Sequence, residues 1–96
     1  MYARTSTWSG SPEALQRWAD HTETTVRAFI ERLPGNVGAT FLIDRDAGVA
    51  MTLTVWESED AAAATDLFAE QSRSSTVAAT GTELVARGRY EVLTPS

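Results

Sequence analysis

Few side chains in this sequence are equipped for chemistry, and each also has a plain structural use. His21 is the only histidine, and imidazole is the side chain that both accepts and donates a proton near neutral pH. It sits on the shoulder of an apolar helical stripe, either at the edge of a pocket or in solvent. Trp56 ends the run TLTVW, where its indole N–H can donate to a ligand oxygen or its ring can plug the gap between two layers. Trp18 lies on the stripe itself, as core or as one wall of a cleft. Arg73, Arg87 and Arg89 can hold an anion or an enolate, or can pair with Glu83 and Glu91.

Other catalytic constellations are missing. The chain has no G-x-G-x-x-G, no P-loop, no G-x-S-x-G and no Cys/His cluster, so hydride transfer, phosphoryl transfer and serine hydrolysis lose their usual handles. With one histidine and no cysteine, no metal site is expected. The carboxylates fall at loop ends and helix starts, where capping explains them.

These residues must be positioned by a small fold. At 96 residues the length suits one domain, residues 1–96, which removes only about two thirds of the unfolded chain's surface from water, so pairing with a second copy would help. The absence of cysteine excludes a disulfide framework and fits a reducing, cytoplasmic setting. The opening MYARTSTWSG lacks the features of a secretory signal, and no apolar run is long enough to span a bilayer, so a soluble protein without a membrane partner is expected. A net charge of −5 repels phosphates, which argues against a nucleic-acid partner.

Residues 2–8 are rich in β-branched and aromatic side chains and stop at Ser9-Gly10, predicting a first strand. Tyr2, Arg4 and Trp8 share one of its faces and read first as contacts to a second subunit. Ser11, Pro12 and Glu13 form a strong helix start. From there Leu15, Trp18, Ala19, Thr22, Val26, Phe29, Ile30 and Leu33 recur every three or four residues, predicting one continuous helix that ends at LPGNVG.

Residues 37–43 and 49–56 flank DRDAG and read as an antiparallel hairpin. In the second of these strands Val49, Met51, Leu53 and Val55 take one side and Ala50, Thr52, Thr54 and Trp56 the other. Both sides are too apolar for water; one meets the helices and the other is expected to meet the sheet of a second subunit. Ser58 caps a second helix that runs through Leu67 and Phe68 to about Ser74. A last strand follows Gly81, with Leu84, Ala86, Gly88 and Tyr90 on one side and Val85, Arg87, Arg89 and Glu91 on the other. The order βαββαβ specifies a four-stranded antiparallel sheet with two helices on one face, the ferredoxin-like α+β arrangement.

That order, with LPGNVG after a long amphipathic helix, the DRDAG hairpin and TVWESEDA across the strand-to-helix junction, resembles the antibiotic-biosynthesis monooxygenase family of dimeric α+β barrels. The resemblance implies a homodimer whose sheets face each other, with each pocket between a subunit's own helices and sheet. Some members oxidise anthrone-like compounds to quinones with molecular oxygen and neither metal nor flavin, so no cofactor is implied. The family's pocket tryptophan matches Trp56. Thr52 stands where those enzymes have a substrate-contacting asparagine, and Arg73 is an offset counterpart of an arginine on their second helix. The related haem-degrading branch has a strand-one asparagine and a tryptophan and histidine along helix two, which this chain lacks.

The resemblance therefore implies a cofactor-independent oxygenase acting on a small aromatic molecule. Its catalytic candidates are Trp56 and Thr52 as donors, His21 as base and Arg73 as charge stabiliser; Trp18, Trp56 and Phe68 are its substrate-binding candidates. The alternative is a dimeric, non-catalytic ligand-binding or accessory protein of the same fold, which the missing asparagine favours. A cyclase or isomerase is a third route, since proton transfer needs only a base and a donor.

Overall fold

The computed structural model describes residues 1–93. Strand β1 (Tyr2–Ser9) leads to helix α1 (Pro12–His21), a π-helical segment (Thr22–Val26) and helix α2 (Arg27–Glu31). Strands β2 (Asn36–Asp44) and β3 (Val49–Trp56) follow, then helices α3 (Glu59–Ala64) and α4 (Asp66–Thr80) and strand β4 (Glu83–Glu91). The four strands form one antiparallel sheet in the order β2-β3-β1-β4. The helices lie on one face of it, as the ferredoxin-like reading predicts. No helix among the described residues is long and apolar enough to cross a membrane.

Local chemistry sets both helix starts. The Ser11 hydroxyl accepts from the Ala14 N–H at 3.1 Å ahead of Pro12, and the Ser58 hydroxyl accepts from the Ala61 N–H at 3.1 Å. Each satisfies one of the amides that a helix start leaves without a partner. At the turn into β2, Gly35 adopts φ 81°, and a Cβ there would stand 2.7 Å from the Ala61 Cβ. Its carbonyl accepts from the Glu57 N–H at 2.9 Å, tying the turn to the junction after Trp56.

Four details depart from the sequence reading. The first helix is not continuous: the Arg27 N–H bonds back to the Thr22 carbonyl, five residues away, across the π segment. Thr22 and Thr24 both donate side-chain hydrogen bonds to carbonyls of the preceding turn, at 3.0 and 2.8 Å, which competes with regular α-helical pairing there. The second helix breaks at Thr65 and continues to Thr80 rather than ending near Ser74, because the left-handed stop is Gly81, with φ 75°.

Strand register supplies the other two. Tyr2, Arg4, Ser6 and Trp8 pair with Trp56, Thr54, Thr52 and Ala50, so Arg4 and Trp8 face the helices and are buried, rather than pointing to a second subunit. In β4 the register slips between Thr7 and Trp8, and this bulge brings Leu84 opposite Trp8. Leu84 therefore joins the core while Ala86, Gly88 and Tyr90 keep to the outer face.

The helix-facing side holds two apolar clusters joined by Phe41. One contains Trp8, Leu15, Trp18 and Ala50; the other contains Val26, Ile30, Trp56 and Ala62. Between them the sheet presents Arg4, Ser6, Thr52 and Thr54, and the helices present Thr22, Ser72, Arg73 and Thr76. Small hydroxyl side chains stand where a filled core would place leucine or valine, and this stretch is the cleft described next.

Candidate functional site

The cleft runs between sheet and helices from Trp8 and Trp18 at one end to Trp56 and Arg4 at the other. Its floor is the inward row of β1 and β3, fixed by the register above. The π segment contributes Thr22 and Val26 to one wall, and α4 contributes Ala69, Ser72, Arg73 and Thr76 to the other. The enclosed space is about 40 Å³, enough for water but far below the usual several hundred cubic ångströms of a small-molecule pocket.

The three indole N–H groups differ in a way that decides what the cleft can do. Trp56 Nε1 donates to Thr54 Oγ1 at 2.9 Å, and Trp8 Nε1 donates to Thr52 Oγ1 at 3.2 Å. Both are used within the protein. Trp18, 1% exposed, is the one described residue whose buried side-chain polar atom has no hydrogen-bond partner. An unpaired buried donor costs about 1–3 kcal/mol, and Trp18 is one of the residues that line the cleft. Thr52, which accepts from Trp8, still has its own hydroxyl hydrogen to donate.

Arg4 and Arg73 are the titratable groups of the lining. Arg4 donates to the Ala62 carbonyl, to Thr65 Oγ1 at 3.5 Å and to Asp66 Oδ1 at 2.6 Å, and its guanidinium lies 5.4 Å from the centre of the Trp56 ring. Burial lowers its pKa, against the raising effect of Asp66. Arg73 pairs with Glu70 at 3.3 Å and is also lowered by burial. Both stay cationic, since a guanidinium does not lose its proton in proteins. The cleft thus offers fixed positive charge and neutral donors, without a carboxylate or imidazole in its lining.

The candidates from the sequence divide accordingly. Trp18, Thr52, Trp56 and Arg73 all line the cleft. His21 lies in a separate groove of about 200 Å³ between the first helical segment and α4, whose walls share Val26, Phe29 and Ser72 with the cleft. Phe68 is 46% exposed and packs edge-on against Phe29 at 6.3 Å, which places it outside the lining. Arg4, which the sequence reading assigns to a subunit contact, and Ser6, Thr54, Thr22 and Thr76 are not among those candidates. An inward register for Trp8 and Trp56 together would have found the first three, because polar residues then fall in the core-facing row. Among the described residues no group of three His, Cys, Asp or Glu is arranged to hold a metal ion.

Residues 1–74 match the family model for antibiotic biosynthesis monooxygenase. The chain belongs to that family. Among solved structures it is similar to SnoaB, a cofactor-independent oxygenase from Streptomyces nogalater, at 20% identity and a TM-score of 0.68, covering 98% of this chain and 94% of that one. It is also similar to the ActVA-Orf6 monooxygenase of Streptomyces coelicolor, solved with nanaomycin D, at 18% identity and a TM-score of 0.68, covering 99% and 92%. At these identities the likeness is one of fold. No curated protein sequence matches the chain.

Proposed function

We propose that this protein is a cofactor-independent oxygenase that converts an activated methylene of a phenolic aromatic compound to a carbonyl with molecular oxygen. The observation that carries this reading is the cleft's chemistry: a tryptophan-walled interior with one buried guanidinium, Arg4, one partly buried, Arg73, and an unpaired Trp18 N–H. Family membership and the oxygenases sharing its fold support the same reading.

Arg4 and Arg73 favour the ionised form of a bound phenol or enol, and Trp18 and Thr52 donate to its oxygens. The resulting carbanion reduces oxygen directly: one methylene and one O₂ give one carbonyl and one water. The proton lost on ionisation passes to solvent, and His21 in the neighbouring groove is the candidate to relay it. A ring system needs more room than the cleft offers at rest, so its walls must part to admit one.

The test is oxygen consumption with 1,8-dihydroxyanthrone in the presence of a chelator. We expect a rate above the uncatalysed oxidation, one O₂ per anthrone, and label from isotopic dioxygen in the quinone carbonyl. Binding without any such acceleration would instead establish the ligand-binding reading, which Thr52 in place of the family's asparagine favours.

The outer face of the sheet supports a homodimer. Met51, Leu53 and Val55 line its centre, with Leu42 and Tyr90 beside them, about half exposed, and such a patch is costly to leave in water. Sedimentation equilibrium is expected to give the mass of two chains at micromolar concentration. A single-chain mass would remove the second subunit from the proposal.

A further inference from the structure

At one end of the cleft, β1, α4 and β4 bring four arginines against two carboxylates. Asp66 accepts from Arg4 at 2.6 Å and from Arg89 at 2.9 Å, and Glu70, one turn further on, meets Arg73 at 3.3 Å and Arg87 at 3.7 Å. Each carboxylate is thus shared by one inner and one outer guanidinium. The cluster keeps two positive charges in excess on a chain whose total is −5.

These arginines surround a depression of about 380 Å³ lined by Arg4, Arg73, Arg87, Gly88 and Arg89. Arg4 and Arg73 also line the cleft, so the depression is its charged mouth. Arg4 and Arg89 stand directly opposite each other on paired strands. Like charges at that position destabilise a sheet, and Asp66, which accepts from both, offsets their repulsion. A positive mouth in an acidic surface attracts a small anion and repels a polyanion.

The other end of the cleft has its own requirement, the Trp18 N–H without an acceptor. Trp18 packs with Trp8, which is four residues from Arg4 along β1, or about 13 Å at the rise of a strand. A ligand that satisfies both ends is as long as a fused-ring aromatic and carries an acid at one end and an oxygen at the other. The geometry points to an aromatic carboxylate as the ligand of this site: its carboxylate held by Arg87 and Arg89 with Arg73 at the mouth, its rings in the cleft, and a ring oxygen accepting from Trp18. This inference rests on reading the cleft as a small-molecule site and specifies the chemical class that the site selects.

The experiment is calorimetric titration of the full chain with anthraquinone-2-carboxylate and with its neutral carboxamide at low salt. We expect the carboxylate to bind at least about ten-fold more tightly. In an Arg87→Gln/Arg89→Gln double variant the preference should fall to about two-fold or less. Both side chains are half exposed in the native fold, so the variant is expected to fold, and a thermal melt checks this. In amide NMR spectra the Trp18 indole signal should shift more on binding than those of Trp8 and Trp56, whose N–H groups are already bonded.

Equal affinities, a preference that survives in the double variant, or no binding of either compound at millimolar concentration would each overturn the proposal. None of these readings needs oxygen. A carboxylate preference without oxygen consumption by the matching anthrone carboxylate leaves this inference standing and removes the oxygenase; oxygen consumption indifferent to the carboxylate does the reverse.

Discussion

Trp56→Ala is expected to destabilise the fold by about 3–5 kcal/mol, the range for truncating a fully buried large aromatic. Trp56 is 1% exposed and packs with Val26, Ile30 and Ala62, so truncation removes contacts from β3, the π segment, α2 and α3 at once. Two polar groups lose partners as well. Thr54 Oγ1 loses its indole donor, and Arg4 loses the ring face 5.4 Å from its guanidinium, a contact worth about 1 kcal/mol or more when desolvated. For a chain of this length the melting temperature should fall by roughly 15 °C or more.

Trp56→Phe separates the parts of that effect. It keeps most of the packing and loses the hydrogen bond, so it should cost about 1–2 kcal/mol. Urea unfolding of both variants checks the pair. If Trp56→Ala costs less than about 1.5 kcal/mol, the indole is a loosely held pocket wall and not part of the core. The structure supports both roles for this residue: it fills the seam between sheet and helices, and one side of its ring forms the end of the cleft.

Trp56 also shows what was legible in the sequence. Alternation in TLTVW grouped it with Thr52 and Thr54 on one side of the strand, and the Ser11 and Ser58 caps placed the helices, because these depend on residues close in the chain. Register is different. Whether Arg4 points inward depends on its pairing with Thr54, fifty residues away, and period-two alternation within one strand does not say which side is which. The bulge that turns Leu84 inward hides for the same reason, since it comes from pairing with β1.

The cleft was legible only in part. Its tryptophans were visible because large aromatics attract attention in any sequence. Its polar floor was visible only at Thr52, through the family resemblance, since Ser6 and Thr54 read as ordinary strand residues. The state of the Trp18 N–H was beyond any pattern, because a missing hydrogen bond is a property of all the neighbours together. Arg73 could be placed only from family resemblance, and the cleft lining now includes it.

Arg73→Met is expected to lower oxygen consumption by about 10²-fold, mostly in kcat, while leaving the fold intact. The size follows from removing one fixed charge aimed at a developing anion in a water-poor site. Intact folding is expected because Glu70, the partner left behind, is 65% exposed, so losing the pair leaves a solvated carboxylate, and methionine replaces the aliphatic stem. The more specific readout is the pH profile. A nearby guanidinium favours the anion of a bound phenol and so lowers that phenol's pKa, by about 1–3 units at close range. Activity should rise with pH as the phenol ionises, and in the variant this limb should move to higher pH by about one unit or more. Arg73→Lys keeps the charge and should keep the limb near its original position, although a point charge does not reproduce the planar fork of the guanidinium. A purely structural role for Arg73 would lower activity without moving the limb, and would show as a matching loss of stability in urea. A His21→Ala variant measured alongside distinguishes the two sources of pH dependence: if the limb disappears there and stays fixed in Arg73→Met, the base is the imidazole and the guanidinium does not set the ionisation.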